Sequence, residues 1–90
     1  MFYCYILQSM KNNKYYIGST EDLLKRLKKH NSGLVKSTKS YVPWQLIYYE
    51  EYNTNKEAIN REKQIKSWKK RVVIEKLIKD FKINNKFLGR

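Results

Sequence analysis

The sequence predicts an α+β fold, a three-stranded antiparallel sheet flanked by helices in the order β-β-α-β-α-α. Three observations carry that expectation. FYCYILQS and KYYIGS are β-rich, aromatic runs separated by four residues, close enough to form only an antiparallel hairpin. A third such run, WQLIYYEEY, lies well downstream. The stretches after the second and third runs space their apolar residues as helices do and carry helix start signals.

The first strand is expected over Phe2 to Ser9 and the second over Lys14 to Ser19. Between them Asn12 and Asn13 suit left-handed conformations in the turn. Ser19 or Thr20 is then expected to cap a helix over about Glu21 to His30, with Glu21 and Asp22 in its first turn and Lys28, Lys29 and His30 in its last. Gly33 reads as its stop, and Asn31 to Pro43 as a long Ser/Lys loop of the kind that often carries function. Trp44 to Tyr52 is the third strand. Thr54 and Glu57 form a capping box for a second helix reaching about Lys69. A last helix carries Val72, Val73, Leu77 and Ile78 to about Phe81, and Lys82 to Arg90 reads as a loose basic tail. The organisation expected is one domain over residues 1–81 and a tail over 82–90.

Composition narrows the function. One cysteine excludes a disulfide framework within the chain and suits a reducing cytosol. One cysteine and one histidine also argue against a Cys/His zinc site. No apolar run is long enough to span a membrane and no leader pattern precedes one, so a cytoplasmic protein is expected. With 20 Lys and Arg against 8 Asp and Glu the formal charge is +12. Such a surface attracts polyanions through phosphate contacts. The charges are not gathered into a tail or an amphipathic terminal helix, which puts nucleic acid, rather than a membrane surface, first among partners.

Three polar residues fall in apolar places. In the first helix Leu23 and Leu27 define the buried stripe; His30 falls on it and Arg26 on its flank. In the second, Ala58 and Ile65 define the stripe and Glu62 falls between them. Inward charges are costly unless paired or metal-bound. An Arg26–Glu62 structural pair accounts for two of them, and a helix-end histidine satisfied by nearby carbonyls accounts for the third; a site accounts for all three together. Of eight tyrosines, most are packing residues. Tyr5 and Tyr16 stand out because neighbouring strands carry them, although the register that would bring their hydroxyls together is open at this level. Tyr15 points to the other face from Tyr16.

These residues resemble the GIY-YIG nuclease domain, and in particular its small, free-standing bacterial members. The first motif stands as Cys4-Tyr5-Ile6 and the second, intact, as Tyr16-Ile17-Gly18. Arg26 and His30 in KRLKKH match the family's helix, and Glu62 in NREKQIKSW its metal-binding glutamate. The likeness covers about Phe2 to Ile78. Two departures are a non-glycine first motif position and no obvious counterpart of the family's late asparagine. The resemblance implies a metal-dependent endonuclease that hydrolyses DNA phosphodiesters at a single site, with low sequence specificity or a structure preference, leaving 3′-hydroxyl and 5′-phosphate ends. Glu62 would hold Mg²⁺ or Mn²⁺ with water and phosphate. Arg26 would face the phosphate, Tyr5 would activate water with His30 taking its proton, and Tyr16 would bind at the phosphate. A tyrosine hydroxyl with an ordinary pKa near 10 needs nearby cations to lower it. No small-molecule cofactor is implied. Lys14, Lys36, Lys39, Lys66, Lys69, Lys70 and Arg71 are the candidate phosphate contacts, with Tyr41 and Trp68 as stacking surfaces and Trp68 favoured as a core anchor. A protein of this fold that binds nucleic acid without cutting it is the alternative.

Overall fold

The structure, a computed structural model, describes residues 1–88, with side chains to Lys82. Strands β1 (Phe2–Ser9), β2 (Tyr15–Thr20) and β3 (Trp44–Tyr52) form one antiparallel sheet in the order β2-β1-β3. Helix α1 (Leu23–Asn31) follows the hairpin; α2 (Asn55–Lys66) and α3 (Arg71–Leu88) follow β3. This is the expected α+β architecture.

The central strand is apolar on both faces because both are covered. Cys4 and Ile6 point to one face, where they meet Ile17, Ile47, Tyr48, Ile65, Ile74 and Ile78 under α2 and α3. Tyr5 and Leu7 point to the other, with Trp44, Leu23 and Leu27 under α1 and the loop after it. Each fully buried aliphatic side chain is worth about 1.5–3 kcal/mol. A bulge in β3 opposite Ile6 and Leu7 turns both Ile47 and Tyr48 inward, which strict alternation would forbid. Helix α2 is tied to β3 by Arg61, which grips Glu50 at 2.9 Å; Glu50 also accepts from the Tyr48 and Tyr52 hydroxyls.

Local chemistry sets the ends. Asn13 turns the hairpin at φ 64°, and Gly33 ends α1 at φ 81°. Thr54 and Glu57 cap α2 reciprocally, as expected. The start of α1 differs from expectation. Thr20 spends its hydroxyl on the amide of Asp22 at 3.2 Å, and Asp22 becomes the cap, accepting from the Lys25 amide at 3.0 Å. The helix therefore begins at Leu23, with no acid in its first turn. Helix α3 also continues through Lys82 to Leu88, where a loose tail was expected; residues 89–90 of that tail lie outside the described residues.

Candidate functional site

The hairpin register pairs Tyr5 with Gly18 and Leu7 with Tyr16. Tyr5 and Tyr16 therefore sit diagonally on one face, their ring centroids 6.3 Å apart. Tyr15, on the opposite face, packs on the α2–α3 core beneath the Arg71 guanidinium at 4.1 Å. His30, at the end of α1, reaches down between the two site tyrosines. Its Nε2 lies 3.2 Å from the Tyr5 hydroxyl, and its ring centroid 4.8 Å from that of Tyr16.

His30 is wholly buried, and its partners are side chains rather than the helix-end carbonyls considered above. Nδ1 meets Thr38 Oγ1 at 2.8 Å. Burial, helped by the charges of Arg26 and Lys29, holds the imidazole pKa below its ordinary value, so the ring is neutral. A neutral ring is a proton acceptor. Cleavage should therefore hold its plateau as pH falls to about 6.5, the ordinary histidine value, and decline only below it. Folding stability shares the direction. Unfolded chain takes up a proton on His30 that the folded chain refuses, so stability is full above about pH 6.5 and is lost as pH falls through the lower folded pKa. Thermal melts and cleavage rates over pH 5–8 check both.

Tyr5 departs from expectation. Burial, then the neighbouring Tyr16, pushes its hydroxyl pKa well above the ordinary value; the Arg26 charge opposes this and loses. The Arg26 charge alone does not make Tyr5 a ready phenolate. It can shed its proton only to a partner in contact, and that partner is His30. The Tyr16 hydroxyl has no hydrogen-bond partner among the described residues, yet no buried polar side-chain atom there lacks one, so this hydroxyl faces solvent.

Gly18 makes room for Tyr5. A Cβ on Gly18 would lie 2.6 Å from the Tyr5 hydroxyl oxygen and 2.7 Å from Cζ of its ring. Both residues are buried, so the ring has nowhere to retreat without leaving His30. Gly18→Ala should cost about 1–3 kcal/mol of stability and should depress cleavage more than that loss accounts for. A melting curve beside a cleavage rate separates the two effects.

Arg26 and Glu62 approach from opposite sides of the edge strand β2. The side chain of Arg26, half-buried on α1, makes no hydrogen bond or ion pair among the described residues, and the Arg26–Glu62 structural pair does not form. It lines a groove of about 550 Å³ with Lys25 and Lys29, and the acids Glu21 and Asp22 line the same groove beside Ser19. Glu62, on α2, accepts from Ser19 Oγ at 2.8 Å and from Lys66 Nζ at 2.6 Å. Ser19 thus joins the glutamate to the groove of Arg26. No three His, Cys, Asp or Glu residues gather among the described residues. The donor set is then a single hard carboxylate with lone pairs to spare, which fits Mg²⁺ held by one carboxylate, water and a phosphate.

The expected phosphate contacts divide. Lys36, Lys39, Lys69 and Lys70 are exposed, and Lys66 pairs with Glu62. Lys14 sits 4.7 Å from the Tyr41 ring centroid, and Arg71 donates to the Asn13 carbonyl at 2.7 Å, so these two flank the hairpin turn. Tyr41 and Trp68 each carry a cation over the ring, Lys14 and Arg61, and Trp68 packs on the core. Those faces are taken, which argues against base stacking on them. Lys25 and Lys29, which line the groove beside Arg26, were not singled out by sequence reasoning; their i, i+4 spacing about Arg26 was the available signal. Cys4 lies on the face away from His30, and burial pushes its thiol up to about 12, so it is no nucleophile.

Residues 1–77 match the family model described as the GIY-YIG catalytic domain. The chain is 42% identical over 67 residues to a UPF0213 protein of Staphylococcus saprophyticus, spanning 73% of this chain and 80% of that one. It is 42% identical over 69 residues to UPF0213 protein YazA of Bacillus subtilis, spanning 72% and 70%. The solution NMR structure of UPF0213 protein BH0048 from Bacillus halodurans superposes with a TM-score of 0.52 at 32% identity, over 86% of this chain and 83% of that one. Among the described residues, no helix is long and apolar enough to cross a membrane.

Proposed function

The chain belongs to the GIY-YIG nuclease family, and on that premise we propose that it is a metal-dependent endonuclease hydrolysing DNA phosphodiesters at one site. The observation that carries the reading is the buried Tyr5–His30 hydrogen bond beside an arginine whose guanidinium has no hydrogen-bond or ion-pair partner among the described residues. A proton acceptor, a hydroxyl and an uncommitted guanidinium are what phosphate hydrolysis asks of a protein.

Arg26 binds the scissile phosphate in the groove, with Lys25 and Lys29 on neighbouring phosphates. Tyr16, whose hydroxyl faces solvent, donates to a phosphate oxygen. Tyr5 takes a proton from the attacking water while its own proton passes to His30 Nε2. The water oxygen bonds to phosphorus, the P–O3′ bond breaks, and the 3′ oxygen is protonated from solvent. Glu62 would hold the Mg²⁺ or Mn²⁺, which when bound polarises the phosphate and stabilises the leaving oxygen. The grip falls on the backbone through Lys14, Lys36, Lys39, Lys69, Lys70 and the groove lysines, so sequence preference is low.

One arrangement favours a protein that only binds: Lys66 occupies Glu62. An exposed i, i+4 pair is worth about 0.3–0.5 kcal/mol, too little to keep a divalent cation off the carboxylate. The test is a labelled branched duplex incubated with Mg²⁺, Mn²⁺ or EDTA. Metal-dependent products with 3′-hydroxyl and 5′-phosphate ends are expected. Binding without products, or 3′-phosphate ends, would overturn the mechanism.

A further inference from the structure

We infer that Thr38 is a positioning residue, fixing the tautomer of His30 so that Nε2 presents a lone pair to the Tyr5 hydroxyl. The inference deepens the nuclease reading and rests on it for its kinetic consequence alone.

Thr38 lies in the loop between α1 and β3, where no helical or strand periodicity marks it. His30 is 0% and Thr38 1% exposed, so protein groups must satisfy both ring nitrogens. Two tautomers are available. With the proton on Nδ1, the donors run in one direction. Tyr5 O–H donates to Nε2 across 3.2 Å, Nδ1–H donates to Thr38 Oγ1 across 2.8 Å, and Thr38 O–H donates to the Val35 carbonyl across 3.3 Å. Every donor meets an acceptor. With the proton on Nε2, the Tyr5 oxygen must accept, and its own hydrogen finds no acceptor among the described residues. The Val35 carbonyl then also loses the threonine hydroxyl. The first arrangement is the satisfied one.

The end of the chain is fixed. The Thr38 amide donates to the same Val35 carbonyl at 3.0 Å, and the Trp44 indole donates to the Thr38 carbonyl at 3.0 Å. Trp44 is itself a buried core residue at the start of β3. The loop is thereby held to the sheet through the backbone of the residue whose hydroxyl orients the imidazole. A hydroxyl in this place orients the ring without adding the negative charge of a carboxylate, so the ring stays neutral at rest. When Nε2 takes the Tyr5 proton, Nδ1 keeps its own, and the imidazolium donates from both nitrogens. Water loses one proton and His30 gains one.

His30 is the chain's single histidine, so its ring nitrogens give an unambiguous signal. Long-range ¹H–¹⁵N spectra at neutral pH should show Nδ1 protonated and Nε2 bare. Thr38→Val, near in shape but without the acceptor, should shift the population toward the Nε2–H tautomer. It should also lower kcat by about 10–100-fold with KM little changed. Thr38→Ser should restore both readings. An Nε2–H tautomer in the unmodified protein overturns the inference even if Thr38→Val does not fold. So does a Thr38→Val spectrum identical to it. The tautomer is read without substrate. A chain that shows the Nδ1–H form, loses it in Thr38→Val and yet cuts nothing supports the positioning role and sinks the nuclease reading instead.

Discussion

Alanine in place of Glu62 should abolish metal-dependent cleavage while leaving nucleic-acid binding in place. Among the described residues, Glu62 is the carboxylate that combines contact with the β2 edge and a position between inward-facing Ala58 and Ile65. No cluster of ligating side chains stands behind it among the described residues. A cation held by one protein carboxylate loses its whole protein anchor when that carboxylate goes. The loss of its Lewis-acid contribution is several kcal/mol, or about a thousandfold or more in rate. Binding should survive because the variant is one negative charge poorer and frees Lys66 for phosphate. Single-turnover cleavage and fluorescence anisotropy on one duplex separate the two quantities. Cutting at the unmodified rate would remove Glu62 from the metal site.

Arg26→Ala should lower the cleavage rate by about 10²–10³-fold, the usual cost of one preorganised donor to a developing oxyanion. Arg26 is half-buried and its guanidinium makes no ion pair among the described residues, an arrangement that costs free energy unless a ligand uses it. It faces the groove, and its charge acts on both Tyr5 and His30. Because it holds up no neighbour through a hydrogen bond or ion pair among the described residues, the variant should melt near the unmodified protein. Arg26→Lys should recover only part of the rate, since an ammonium cannot grip two phosphate oxygens as a planar fork does. A normal rate in Arg26→Ala would make the residue a solvated charge.

Much of this was legible in the chain. Alternation and β-branched or aromatic content marked all three strands, and Thr54 with Glu57 marked the start of α2. Arg26, His30 and Glu62 were visible as polar residues on or beside apolar stripes, because helical spacing reports which face a residue takes. What remained hidden was long-range. The pairing of Tyr5 with Gly18 depends on register, which the strand pattern leaves open. The bulge at Ile47 breaks the alternation that pattern reading assumes. The start of α1 slipped because Thr20, a good cap by type, binds the Asp22 amide instead. Thr38 could not be found at all: a loop threonine has no period, and only the tertiary fold shows that it meets a histidine eight residues away. The rise in the Tyr5 pKa likewise depends on burial, which no local count of charges reveals.

The most direct test of one phosphodiesterase centre at Tyr5, Tyr16, Arg26, His30 and Glu62 is nicking of supercoiled plasmid. Unmodified protein and Glu62→Ala would be incubated side by side with Mg²⁺ and with EDTA. The account predicts relaxed circles from the unmodified protein with Mg²⁺ alone, and none in the other three lanes. Plasmid that is bound and shifted but uncut in every lane would contradict it, and would make this chain a nucleic-acid-binding protein of the same fold.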